Sequence, residues 1–161
     1  MEIEKKFMVK QRPEKLESYP KKEIEQGYLA SNPIVRIRKS NDEYILTYKA
    51  RLNEKGAEVI VNKEIELPLT KEAYEHLREK ADNNLITKTR YIIPLEGGLT
   101  GEYDVFHGKL EGLEFVEVEF ESEEKAEAFE KPEWFGENVS KDKRFSNRFL
   151  SLVETIEELS V

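Results

Sequence analysis

The chain has 161 residues, 38% of them hydrophobic and 37% charged, with a formal net charge of −8. This length accommodates one domain, residues 1–161, with a real core. Aromatic residues at 10%, spread with the aliphatics along the chain, exclude a disordered composition, and the acidic balance lacks the basic footprint that nonspecific nucleic-acid binding needs.

A local basic cluster can still capture an anion, because a local field can oppose the net charge. Cysteine is absent, which removes disulfides, thiolate metal sites and thiol nucleophiles and fits a reducing compartment. Charge begins at Glu2, so no signal peptide is expected, and no apolar run approaches the roughly 18 residues of a membrane helix. A cytoplasmic protein without membrane contact is expected.

Period-2 alternation dominates the chain. Residues 2–9, 34–39 and 43–50 read as strands, the last two joined by a hairpin turn at Asn41-Asp42. Pro13 to Tyr19 is a short helical candidate, and Gln26 to Leu29 a short strand. A turn from Asn53 to Gly56 leads to a strand near 58–67. Thr70 to Asp82 is predicted helical, with Thr70 as cap and Ala73, Leu77 and Ala81 at helical spacing. Strands follow near 85–94, 101–106 and 113–121, punctuated by Gly97-Gly98 and by Gly108 to Gly112. Ser122 to Glu130 opens like a capping box, although Lys125 stands where Glu or Gln belongs. Phe145, Phe149, Leu152, Val153 and Ile156 predict a last amphipathic helix.

Side chains two apart in a strand share a face. On that basis Glu2, Glu4 and Lys6 lie opposite Ile3, Phe7 and Val9, with Lys5 breaking the apolar row. Arg36 and Arg38 lie opposite Val35 and Ile37, and Thr47 and Lys49 opposite Leu46 and Tyr48. Glu64 and Glu66 share a face, as do Lys88 and Arg90, Glu102 and Asp104, and Glu117 and Glu119. An antiparallel sheet with one core face and one wet face explains any single strand equally well. The charges, however, come in like-signed blocks that repel unless something of opposite sign lies between them. The amphipathic helices also need the apolar strand faces. With about eight strands, closure into a barrel would turn the charged faces inward and remove exposed edges. Charges so withdrawn cost several kcal/mol each unless paired or coordinated. Carboxylate clusters without His or Cys suit Mg²⁺ or Mn²⁺, and Arg/Lys clusters suit phosphate oxygens. Together they point to a phosphoanion with metal.

Glu2-Ile3-Glu4-Lys5-Lys6 has the form Glu-x-Glu-x-Lys. It is followed in order by Gln26-Gly27-Tyr28-Leu29, Arg36-Ile37-Arg38, Lys49, Lys63-Glu64-Ile65-Glu66, Lys88-Thr89-Arg90-Tyr91, Gly112-Leu113 with Val116-Glu117-Val118-Glu119-Phe120, and Val139 to Asn147. This ordered set resembles the CYTH superfamily, also called triphosphate tunnel metalloenzymes, in its short bacterial form. The resemblance implies an α+β fold: an eight-stranded antiparallel tunnel with a charged interior and helices packed outside. It implies metal binding by Glu2, Glu4, Glu117 and Glu119, with Glu64 and Glu66 organising the metal shell or the attacking water. Lys6, Arg36, Arg38, Lys49, Lys88 and Arg90 would contact phosphate oxygens, with Lys143 or Lys141 as a further contact. Of these, Lys6, Lys88, Arg90 and Glu64 are the expected catalytic groups. Glu102 and Asp104 would be either metal shell or partners of the basic residues.

The resemblance implies Mg²⁺- or Mn²⁺-dependent hydrolysis of a linear triphosphate, with inorganic tripolyphosphate leading. Thiamine or nucleoside triphosphate hydrolysis and adenylate cyclisation are alternatives within the fold. A polyphosphate-binding module without turnover is the alternative of another class. The partner is a small triphosphate, not nucleic acid or membrane, and a homodimer is one arrangement left open. His76, His107, Lys21-Lys22 and the acidic Glu154, Glu157 and Glu158 read as surface, and Trp134 as a loop anchor. Tyr28 reads either as core or as a hydroxyl at the tunnel mouth.

Overall fold

The computed structural model describes residues 1–159, and of Asn147 and Arg148 the backbone only. Alternation becomes eight antiparallel strands: β1 (Glu2–Val9), β2 (Lys21–Ser31), β3 (Ile34–Ser40), β4 (Glu43–Arg51), β5 (Ile60–Pro68), β6 (Asp82–Pro94), β7 (Thr100–Phe106) and β8 (Glu114–Glu119). They run in the order β5-β4-β3-β2-β6-β7-β8-β1, and β1 pairs back onto β5 through Glu2↔Asn62 and Glu4↔Ile60. That pairing closes the barrel and leaves none of the eight as a bare edge. A ninth strand, β9 (Phe135–Asn138), was not anticipated; it takes the edge of β1 beyond β5, where Phe7 pairs with Asn138 and Val9 with Phe135. β2 is also far longer than the expected Gln26–Leu29 segment.

Helix α1 (Lys71–Arg78) starts where the Thr70 hydroxyl accepts the Ala73 N–H, and α2 (Glu123–Ala128) where Ser122 accepts the Lys125 N–H. Both caps satisfy a donor that the first turn leaves free. α1 is shorter than predicted because Asp82 already belongs to β6.

Two apolar clusters hold the barrel. The outer one joins Ile3, Phe7, Val61, Tyr91, Tyr103, Val116, Val118 and Phe120 to Leu16, Ala126 and Phe135 from the covering segments. The break at Lys5 is explained here: its ammonium donates to the Ala126 carbonyl at 2.6 Å, in the last turn of α2, where a cation complements the helix dipole. Trp134 anchors its loop, its carbonyl accepting from the Lys10 and Gln11 N–H groups while its ring meets Tyr103 and Phe135.

The second cluster fills one end of the barrel. Tyr28, Ile86, Phe106 and Phe115 face inward there and meet Phe145, Leu150, Val153 and Leu159. The expected last helix is therefore corrected. The chain instead forms a 3-10 turn (Lys143–Phe145), the short α3 (Asn147–Leu150) and another 3-10 turn (Ile156–Leu159). The four buried side chains are 5, 3 and 6 positions apart, a spacing no straight helix puts on one face. Burial across a rounded opening outweighs helical periodicity. Leu152, from the predicted stripe, is left exposed.

Beside this closed end, Arg12 donates to Glu114 from Nε at 3.0 Å and from Nη2, and the Tyr103 hydroxyl donates to the same carboxylate. Burial works to raise the Glu114 carboxyl, but these bonds outweigh it and hold the group below its ordinary value of 4.5. A depressed carboxylate stabilises the fold above the unfolded value, and the contribution is lost as pH falls through the folded one. Thermal melts from pH 6 to pH 3 should therefore show wild type losing more stability below about pH 4.5 than Glu114→Gln. Parallel curves would contradict this. Among the described residues no helix is long and apolar enough to cross a membrane.

Candidate active site

The strand register places the charged rows on the inner wall. Glu4 stands opposite Glu119, Lys6 opposite Glu117, Arg36 opposite Thr47, Lys49 opposite Glu64, and Arg90 opposite Asp104. One half of the wall is densely ion-paired. Lys88 Nζ lies 2.8 Å from Asp104 Oδ2, both fully buried, and Arg90 donates to both Asp104 oxygens at 2.8 and 2.9 Å. Arg90 also reaches Glu102 at 3.1 Å and Glu117 at 3.8 Å. Across the tunnel Lys49 bridges Glu2 at 2.9 Å and Glu64 at 3.3 Å, with Asn62 donating to Glu2. Lys6 sits 4.0 Å from Glu117, donates to the Phe145 carbonyl at 2.7 Å and lies over the Phe115 ring.

The arginines of β3 are different. Among the described residues neither Arg36 nor Arg38 has a carboxylate within salt-bridge distance. Arg36 is 3% exposed, and its Nε is buried with no hydrogen-bond partner. Its Nη2 donates a long 3.5 Å bond to the Thr47 hydroxyl. Such an orphaned donor is costly and rare in a folded protein. Burial, reinforced by Arg36 and Arg90, pushes Arg38 down to about 9.

The carboxylates show the complementary excess. Burial, with Glu117 and Glu2 beside it, pushes Glu4 up to about 8 against the pull of Lys49 and Lys6. Burial and the charges of Glu2 and Glu102 also raise Glu119. Glu117 goes the other way, because Lys6, Arg90 and Lys88 outweigh its burial. Carboxyls therefore crowd the wall of β1 and β8, and guanidiniums that of β3.

A search over protein families matches the CYTH domain across residues 1–146. The chain belongs to the CYTH domain family. Similar CYTH-length relatives include the inorganic triphosphatase of Nitrosomonas europaea, 39% identical over 155 residues that cover 94% of this chain and 97% of that one. The inorganic triphosphatase of Acetivibrio thermocellus is 36% identical over 152 residues, covering 91% and 90% respectively. The solved structure of the inorganic triphosphatase NE1496 superposes with a TM-score of 0.69 at 35% identity, covering 96% of this chain and 97% of its own.

Within this CYTH tunnel converge Glu2, Glu4, Lys6, Arg36, Arg38, Lys49, Glu64, Lys88, Arg90 and Glu117. Glu66 and Glu119 lie on the same rows but are exposed. Lys143 does not join them: it is exposed on the 3-10 turn, and Lys141 pairs outside with Glu58 at 3.0 Å. Asp104 pairs with Lys88 and Arg90, and Glu102 with Arg90. Tyr28 is core, with its hydroxyl 3.4 Å from the Gln26 amide nitrogen. Thr47, Asn62 and Gln26 also face the tunnel, and their roles went unassigned because neutral side chains leave no charge pattern to follow. His107 is exposed, its Nε2 2.8 Å from the Thr89 hydroxyl outside the tunnel.

The residues present fit a hard divalent cation. All the acidic donors are carboxylate oxygens, and burial with Glu117 and Glu2 beside it raises the Glu4 carboxyl, which a cation at that place would return to its charged form. Among the described residues no three Asp, Glu, His or Cys side chains converge on one ion. Mg²⁺ tolerates this, since it commonly takes one or two carboxylates and completes its shell with water and phosphate oxygens.

Proposed function

We propose that this CYTH protein is a divalent-metal-dependent triphosphatase that hydrolyses inorganic tripolyphosphate to pyrophosphate and orthophosphate. The observation that carries the reading is Arg36. A buried guanidinium whose Nε has no partner among the described residues, beside a second arginine that pairs with no carboxylate among them, is a site shaped for an anion. The relatives named as inorganic triphosphatases, alike over nearly the whole chain, support the choice of substrate.

In this reading Arg36, Arg38, Lys6, Lys49, Lys88 and Arg90 hold the phosphate oxygens and neutralise the charge that develops on them in the transition state. Among Glu2, Glu4, Glu66, Glu117 and Glu119, one or two carboxylates at a time would hold Mg²⁺ or Mn²⁺, with water and phosphate oxygens completing the shell. The cation, when bound, supplies Lewis-acid polarisation of phosphoryl oxygens. Glu64, half-buried beside Lys49, orients the attacking water. The apolar cluster at one end of the barrel would keep water from that side of the tunnel.

Purified protein should release one orthophosphate and one pyrophosphate per tripolyphosphate when Mg²⁺ or Mn²⁺ is present, and none in a chelator. Product identification separates this outcome from cyclisation of a nucleoside triphosphate, which would yield pyrophosphate without orthophosphate. Intact substrate after long incubation with every triphosphate tried would sink the proposal.

A further inference from the structure

The tunnel's cations divide into two sets. Lys49, Lys88 and Arg90 each lie within 3.3 Å of a carboxylate. Arg38 is held just as firmly, but by a neutral group. Its Nε and Nη2 both donate to Oε1 of Gln26, at 3.0 and 2.8 Å. Gln26 is itself fully buried, and β2 pairs it directly with Arg38 of β3. Its amide nitrogen faces the Tyr28 hydroxyl at 3.4 Å; because a guanidinium only donates, the two bonds from Arg38 fix the amide oxygen toward it.

The backbone here leaves little play. A Cβ on Gly27 would come 2.8 Å from Leu85 and 2.9 Å from Ala81, so β2 lies hard against the start of β6. The β2–β6 register slips between Gln26 and Tyr28, an irregularity of the kind that re-aims side chains beside sites.

A carboxylate in place of Gln26 would make the same bonds and also cancel the charge, as Asp104 does for Arg90. An amide orients the guanidinium and leaves its charge whole. We propose that Gln26 is a positioning residue: it fixes Arg38 in the tunnel wall with its charge uncompensated, and thereby sets the affinity for a linear phosphoanion. The inference rests on the triphosphatase reading and adds to it the reason why this arginine has a neutral partner.

Gln26→Glu tests it, because the change keeps shape and hydrogen bonds and adds only charge. Tripolyphosphate is titrated calorimetrically in a chelator to prevent turnover, and kcat and KM are measured with Mg²⁺. The expected result is a rise in Kd and KM of about tenfold or more, kcat within about threefold, and a Tm equal to wild type or higher. A purely structural role predicts unchanged Kd, since both hydrogen bonds survive. A second arm uses Gln26→Leu with and without Arg38→Ala. Leucine should raise KM in the wild-type background and add little once Arg38 is gone. Wild-type affinity in Gln26→Glu, or an equal cost of Gln26→Leu in both backgrounds, would overturn the role of Gln26 while leaving the functional reading intact. A wild-type protein that binds no tripolyphosphate would overturn both.

Discussion

Arg36→Met should lower kcat/KM for tripolyphosphate by about a thousandfold while leaving the fold as stable as wild type or more so. The two halves of this result come from one fact. Arg36 is buried in the tunnel wall, and among the described residues its Nε has no partner and no carboxylate lies within salt-bridge distance. In the free protein it therefore contributes desolvation cost without a compensating pair, and a well-packed apolar side chain of similar length removes that cost. In the complex its donors meet phosphate oxygens through charge-assisted bonds, each worth about 1.5–3 kcal/mol, and two of them account for the lost activity. Denaturant midpoints and steady-state kinetics on the same preparation decide the matter. A midpoint that falls together with activity would mean that Arg36 braces the barrel rather than awaiting an anion.

The inner wall was legible because strand periodicity is strict. Once Glu2, Glu4 and Lys6 share a face, the like-signed pairs on the later strands have to share a compartment or repel across open water. What the pattern could not carry was tertiary. β2 is written Lys21-Lys22-Glu23 at its start and interrupted by Gly27, so alternation shows only its middle, yet pairing with β3 and β6 extends it over Lys21–Ser31. β9 is four residues with a glycine inside, and it forms because closure leaves half of β1's edge free. The segment after Phe145 has helical periodicity that the rounded barrel end overrides. Glu102 and Asp104 looked alike in sequence, and only the register of β6 against β7 distinguishes the fully buried Asp104 from the partly open Glu102. Gln26 stood within a recognisable motif, but its meaning lies in what faces it across the strand pair.

Asp104→Ala should do the opposite of Arg36→Met, lowering the unfolding free energy by about 3–5 kcal/mol. Asp104 is fully buried and is the shared partner of Lys88 at 2.8 Å and of Arg90 at 2.8 and 2.9 Å. Burial already disfavours the ammonium of Lys88, pushing it down to about 7 even though Asp104 pulls it upward, with Arg90 and Arg38 adding repulsion. Without the carboxylate Lys88 sheds its proton near neutral pH, which limits the damage at Lys88, but Arg90 has no such escape and keeps only its contacts to Glu102 and Glu117. The stranded charge then makes the variant unusually dependent on an external anion. Tripolyphosphate should raise the Tm of Asp104→Ala by more than it raises that of wild type, because a ligand stabilises in proportion to its preference for the folded state, and here it supplies the missing negative charge. Chloride at matched ionic strength separates this rescue from general screening, which acts weakly on buried groups. A rescue equal in wild type and variant would show that Asp104 and the substrate act on different charges, and that Lys88 and Arg90 belong to the scaffold rather than to the phosphate site.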